Sequence, residues 1–225
     1  MIPHLARPWL VVDLGAPHRV LSFAPHNPGF VTANRILWRE VRNADLPPEV
    51  DALGWFTGQM AGQGCVAEVG MLTSRDISRF VMRRVAVEGV IASCIATVGL
   101  GNAEAVGARR PTARPPGPGT INIAVQLNVA LSDTGLLEAL TIAAEARTAA
   151  VIDSGVRLAD GSRATGTGTD CIAIAALPGS LDWAGLHTAV GEALGRAVRE
   201  AVTAGAADWV AENGLWADGY PEDAV

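Results

Sequence analysis

From Thr120 to Ser132 apolar and polar positions alternate almost without interruption, the two-residue period of a β-strand. Ile121, Ile123, Val125, Leu127, Val129 and Leu131 fall on one face, and Thr120, Asn122, Ala124, Gln126, Asn128, Ala130 and Ser132 on the other. Asn is depleted in strands and a solvated face ordinarily carries Thr, Lys, Glu or Arg. This row of small residues and amides is therefore either a plain exposed face or a binding surface. Asp133 stands where a helix cap belongs, ahead of an alanine- and leucine-rich stretch with no breaker between Gly135 and Asp153. Within it Glu138, Thr141, Glu145 and Thr148 recur at helical spacing as one polar stripe, whose threonines are candidates to line a cavity.

The same reading elsewhere predicts short strands at Trp9–Asp13 and Arg19–Phe23, meeting at the turn Gly15-Ala16-Pro17-His18. Helices are expected at Arg35–Asn43 and Glu49–Gly62, separated by Pro47-Pro48, and strands at Cys65–Met71, Phe80–Val87 and Val90–Leu100. Cys171–Leu177 reads as an apolar strand. The last helix is expected from Asp182 to Glu212, with His187 near its start. Strands and helices mix without strict alternation, so the expected fold is α+β, a single domain over 1–213 with a mixed β-sheet and packed helices, followed by a frayed tail at 214–225.

Composition narrows the chemistry. The 225 residues contain 17 basic side chains, all arginine, so Schiff-base, pyridoxal-phosphate and P-loop lysine chemistry are excluded together. A net charge of −6, with Arg109, Arg110 and Arg114 as a short basic cluster, argues against nucleic acid as a partner. No apolar run reaches the roughly 20 residues of a membrane span and no signal pattern opens the chain, so a cytoplasmic protein away from membranes is expected. Hydrophobic residues at 49% against 18% charged imply a large core or a surface covered in a homo-oligomer. Cys65, Cys94 and Cys171 are too scattered for a disulfide framework or a Cys-x-x-Cys metal site, and no spacing supports a metal at Asp170, Glu145 or Glu104.

Two local motifs carry candidate chemistry. Thr165-Gly166-Thr167-Gly168-Thr169-Asp170 places hydroxyls, a carboxylate and two permissive glycines ahead of a buried strand, as an anion- or amide-binding loop or as a threonine-braced turn. Gly99-Leu100-Gly101-Asn102-Ala103-Glu104 ends a central strand, where ligands often sit and where Asn102 is also placed to cap a helix. Zinc-protease, α/β-hydrolase, Walker and dinucleotide fingerprints are absent from the sequence.

Taken together, the blocks Leu21–Phe30, Val69–Ser74, Thr97–Ala103, Gly119–Ile123, Thr141–Ala150, Ala164–Asp170 and Leu186–Glu192 resemble the adenosylcobinamide amidohydrolase family, in order, over roughly residues 20 to 203. Ala144-Glu145-Ala146-Arg147-Thr148 departs from the family's Thr-Glu-Ala-Lys-Thr, and Asn27-Pro28-Gly29 from its Asn-Gly-Gly. Arginine for lysine keeps the charge but changes the hydrogen-bond geometry. The resemblance implies hydrolysis of the amide between the corrin ring and aminopropanol, giving adenosylcobyric acid. The corrinoid is then substrate, and no cofactor is implied.

Amide hydrolysis needs a polarised carbonyl, an activated water or hydroxyl and a protonated leaving amine. On that requirement Asp170 or Glu145 is the candidate base, His187 the acid, and Thr167 or Thr169 an alternative nucleophile. Asn122 and the backbone of the Gly166–Thr169 loop are candidates for the oxyanion. The corrin's rim of amide arms suggests Asn27, Asn102, Glu104, Asn122, Gln126, Asn128, Thr148, Gly166 and Gly168 as substrate contacts, with the loop from Gly107 to Pro118 as a cover. A non-catalytic corrinoid sensor and a threonine enzyme self-cleaving at Gly119-Thr120 remain open alternatives.

Overall fold

The computed structural model describes residues 1–42, 44–108 and 119–217. Among these the strands are β1 (Ile2–Ala6), β2 (Trp9–Ser22), β3 (Gly29–Glu40), β4 (Val69–Thr73), β5 (Val81–Val87), β6 (Val90–Val98), β7 (Ala103–Glu104), β8 (Ile121–Leu131), β9 (Gly166–Thr167) and β10 (Cys171–Pro178). The helices are α1 (Ala52–Gly62), α2 (Asp133–Asp153) and α3 (Ala189–Asn213). One sheet runs in the order β4-β3-β2-β10-β8-β6-β5, with β1 also paired to β2, while β7 and β9 form a separate ribbon. The β3–β4 and β8–β10 pairs are parallel, crossing over through α1 and α2, and every other pair is antiparallel. The fold is α+β with a mixed sheet.

Sheet curvature makes the site. On one face α2 and α3 bury Leu136, Ala139, Ala197, Val198 and Ala201 against Ala96, Val98, Ile121, Ile123 and Ile172. On the other face the sheet closes over itself, so that Leu10, Val12, Ile36, Trp38, Val69 and Met71 from β2 to β4 share a core with Ile95, Ala124 and Ala173. The Asn122 side chain donates to Leu72 O at 2.8 Å, joining β8 to β4 across this interior although three strands separate them in the sheet. Helix α1 covers the outside, where Phe56 and Met60 meet Trp9, Leu37 and Cys65.

Several expected elements differ. The segment expected as a helix at Arg35–Asn43 is the end of β3, since Ile36 and Trp38 face the interior core while Leu37 packs with α1. Burial on both sides abolishes the alternation by which a strand is recognised. The two N-terminal strands are one, β2, whose register with β3 slips between Asp13 and His18, so Gly15–His18 forms an irregularity rather than a hairpin turn. Strand β1 was not expected. Ser132, not Asp133, caps α2, its hydroxyl accepting from Gly135 N–H at 3.1 Å, while Asp133 pairs with Arg19. Helix α3 starts at Ala189 behind the cap Thr188, so His187 lies in the preceding loop. Leu215 and Ala217 exchange backbone hydrogen bonds with Arg157, so the start of the expected tail is tied down. Residues 218–225 and 109–118, the latter being most of the expected cover, lie outside the described residues.

Candidate active site

The loop from Thr165 to Asp170 descends from α2 and the β7–β9 ribbon to the start of β10, and Asp170 organises it. Its Oδ1 accepts from Ile121 N–H at 3.1 Å and from the Thr167 hydroxyl. Its Oδ2 accepts from Thr167 N–H at 3.1 Å and from the Arg147 guanidinium, reaching across from α2. Burial is the largest influence on this carboxyl and pushes its pKa up; Arg147, the Thr167 hydroxyl and N–H, and the Ile121 N–H oppose that shift. Gly166 is required for the contact, because a Cβ there would lie 1.9 Å from Arg147 Nη1 and 2.8 Å from Asp170 Oδ2.

Beside the ion pair runs a chain of hydroxyls. Asn102 Nδ2 donates to Thr169 Oγ1 at 3.4 Å, Thr169 Oγ1 lies 3.0 Å from Thr120 Oγ1, and the Thr120 hydroxyl donates to Thr169 O at 2.6 Å. Gly168 N–H donates to Asn102 O at 3.1 Å, fastening the two motif loops together. Gly119 permits this closeness: a Cβ there would meet Gly101 N at 2.6 Å and Asn102 N at 2.8 Å.

These groups edge a cleft of about 430 Å³ at the end of the curled sheet. Phe23, Pro25, Val41 and Leu72 supply an apolar wall, and Thr73, Ser74, Thr120, Thr169 and Asp170 a polar one. Phe23 stands 49% exposed at the rim. His26 and Asn27 hold its loop in place, with Asn27 Nδ2 donating to Val66 O and Glu68 O at 2.7 and 3.0 Å. Cys171 is in the lining too, but burial pushes its thiol up to about 12, so it carries no thiolate at neutral pH.

The model of the adenosylcobinamide amidohydrolase family matches residues 3–214 of this 225-residue chain. The chain belongs to the adenosylcobinamide amidohydrolase family. A comparison with curated proteins gives no match.

The structure brings some of the residues expected to serve an amidohydrolase to this cleft and scatters others. Thr169 and Asp170 line it, with Thr167, Gly166, Gly168 and Asn102 directly behind. Glu104 lies in β7, paired with Gly166. Asn122 sits one step beneath, fully buried and bonded to Leu72. Glu145 is exposed, and two residues from Arg147 on a helix means about 200° away from the Asp170 side. Thr148, on the same helix, is half-buried. His187 is exposed beyond the far end of β10, whose eight residues span roughly 26 Å. Gln126 and Asn128 line a separate cavity of about 540 Å³, where Gln126 bonds Leu14 O and His18, and Asn128 bonds Gly89 O and Ile91 N–H. Asn27 acts on its own loop.

Phe23, Pro25, Thr73 and Ser74 line the cleft without having been singled out as site residues, and Thr120 was singled out only as the residue after a self-cleaving junction and as part of a polar strand face. Their signal was present: each falls inside a block that carries the family resemblance. Among the described residues no three His, Cys, Asp or Glu side chains gather as a metal ion would require, and no helix is long and apolar enough to cross a membrane.

Proposed function

We propose that the protein hydrolyses adenosylcobinamide in the cytoplasm, at the amide joining aminopropanol to the corrin ring, releasing adenosylcobyric acid and 1-aminopropan-2-ol for corrinoid salvage. The supporting observation is the composition of the cleft: an apolar wall of Phe23, Pro25, Val41 and Leu72 facing the hydroxyls of Thr73, Ser74, Thr120 and Thr169. A corrinoid is a broad apolar disc edged with amide arms, and this pairing of surfaces matches one arm and its adjoining ring edge. At about 430 Å³ the cleft is too small for the whole substrate. The arm therefore enters while the ring rests outside, against Phe23.

Inside, the Thr169 hydroxyl turns from Thr120 Oγ1, its resting acceptor at 3.0 Å, to donate to the amide carbonyl as it gains negative charge, while the Thr120 hydroxyl stays bonded to Thr169 O. Asp170 and Arg147 hold the threonine loop at the right depth. One observation favours a second reading, a corrinoid-binding protein without turnover: both oxygens of Asp170 are already engaged by two donors each, leaving no spare base on that carboxylate. Mass spectrometry of purified protein incubated with adenosylcobinamide, with and without a chelator, decides between them. Adenosylcobyric acid in the product supports the hydrolase, and its loss with chelator reveals a metal requirement. Substrate that binds but stays intact selects the binding protein.

A further inference from the structure

The cavity of about 540 Å³ lies at the other end of the curled sheet from the cleft. Gln126 in its lining follows Thr120 in the cleft by six residues, roughly 20 Å along β8, and Leu177 follows Cys171 by six along β10. One cross-strand row runs through it. Arg84 on β5 is the register partner of Ser93 on β6, and Ser93 of Gln126 on β8, so these three side chains stand side by side on one face. The next row inward, Met82, Ile95 and Ala124, already packs with the interior core.

Hydrogen bonding fixes what this row offers to a ligand. His18 Nδ1 lies 2.7 Å from Ala16 O, so Nδ1 carries the proton and Nε2 accepts from Gln126 Nε2 at 3.0 Å. The other hydrogen of that amide goes to Leu14 O at 2.8 Å. The Gln126 amide is thereby oriented, and its Oε1 is left as an acceptor with no donor among the described residues. The Ser93 hydroxyl and the Arg84 guanidinium likewise make no hydrogen bond or ion pair among the described residues. The lining contains no Asp or Glu; Asp13, which together with Arg84 acts on the Met1 amine, lies outside it and accepts from Gly15 N–H at 2.7 Å. Met82, Ile91, Leu127 and Leu177 make the remaining wall apolar.

We propose that this cavity binds a small amphipathic hydroxy acid, with its carboxylate on Arg84 and its hydroxyl between Gln126 Oε1 and Ser93. A single guanidinium with no acid in the lining matches a monoanion, and its planar fork fits a carboxylate. At the other end of the row a hydroxyl can donate to Gln126 Oε1 while accepting from Ser93, which an amide N–H cannot do. Neighbouring strands place paired side chains about 5 Å apart, so the two polar ends of the ligand are separated by less than about 10 Å, with an aromatic or branched middle against Ile91 and Leu127. The site is remote from the cleft and independent of the amidohydrolase reading, so this acid is a second ligand and not the hydrolysed substrate.

Calorimetric titration of the full chain with 4-hydroxyphenylacetate tests the proposal, beside three compounds that each lack one feature: phenylacetate without the hydroxyl, 2-(4-hydroxyphenyl)ethanol without the carboxylate, and inorganic phosphate. Saturable one-to-one binding of 4-hydroxyphenylacetate is expected, with the alcohol about tenfold weaker and phenylacetate about fivefold weaker. Arg84 is exposed, so Arg84→Met leaves the melting temperature unchanged while erasing the preference for the acid over the alcohol. Ser93→Ala erases the preference for 4-hydroxyphenylacetate over phenylacetate and keeps that for the carboxylate. No saturable binding, equal affinity for all the compounds, phosphate binding as tightly as the acid, or a carboxylate preference that survives Arg84→Met each overturn the proposal. Hydrolysis of adenosylcobinamide, present or absent, bears only on the reading of the cleft.

Discussion

At the residue scale, the decisive feature is how completely Asp170 is engaged. A carboxylate that accepts from two backbone N–H groups, a hydroxyl and a guanidinium is a structural keystone first, and Arg147 is its charged partner among the described residues. Arg147→Met keeps the length of the side chain and removes the charge, leaving a buried carboxyl without its counter-ion at a cost of about 3 kcal/mol. That cost depends on pH with a definite sign. Burial already raises the pKa of Asp170, and losing Arg147 raises it further, so the folded variant binds its proton more tightly than the unfolded chain does. Well below the ordinary carboxyl value of 3.8 the acid is neutral in both states and the variant loses little. As pH rises from there, the deficit relative to wild type is expected to grow until the folded carboxyl ionises; urea denaturation between pH 3.5 and 8 measures it, and a constant difference would refute the argument. The clustering of Asp170, Thr167 and Thr169 was legible because hydroxyls, glycines and a carboxylate are concentrated in six consecutive residues. Glu145 and His187 stand apart from the cleft for a geometric reason. Nearness in sequence to a motif says nothing about which side of a helix, or which end of a strand, a side chain occupies.

At the scale of elements, α3 shows how small residues set the distance between layers. A Cβ on Gly205 would lie 2.7 Å from Val98 Cγ2 and 3.0 Å from Val98 Cβ, so at this glycine the helix packs directly on β6. A Cβ on Gly195 would meet only Ile142 Cγ2, at an ordinary 3.4 Å. The two positions share the same intrinsic gain of about 1 kcal/mol for Ala over Gly in a helix. Only Gly205→Ala also has to push a packed layer apart, at about 1–3 kcal/mol. Gly195→Ala is therefore expected to raise the melting temperature and Gly205→Ala to lower it, opposite signs that calorimetry resolves. The sequence identified β8 and α2 through clear periodicity and also reached α3, β5, β6 and β10. It failed at β3, because Ile36, Leu37 and Trp38 are buried without alternation, and at the start of α3, where Thr188 rather than Asp182 provides the cap.

At the scale of the whole molecule, the cleft exists because the sheet curls. Strand β4 is brought over β8, so the Phe23 loop, the end of β4 and the threonine loop meet although they are far apart in sequence. Nothing in local sequence patterns encodes that meeting, which is why the lining residues were visible only as members of separate family blocks. The geometry divides labour between the rim and the interior. Phe23 is half exposed, so its removal disturbs little packing, whereas a ring edge resting on it would cover its remaining surface. Full burial of such a side chain contributes about 1.5–3 kcal/mol, and half of that is about 1 kcal/mol, close to fivefold in affinity. Phe23→Ala should accordingly raise KM for adenosylcobinamide about fivefold while leaving kcat and the melting temperature near their wild-type values. Steady-state kinetics with thermal unfolding on the same preparations tests this. A fall in kcat at unchanged KM would place the corrin ring elsewhere and give Phe23 a part in shaping the reacting end of the cleft.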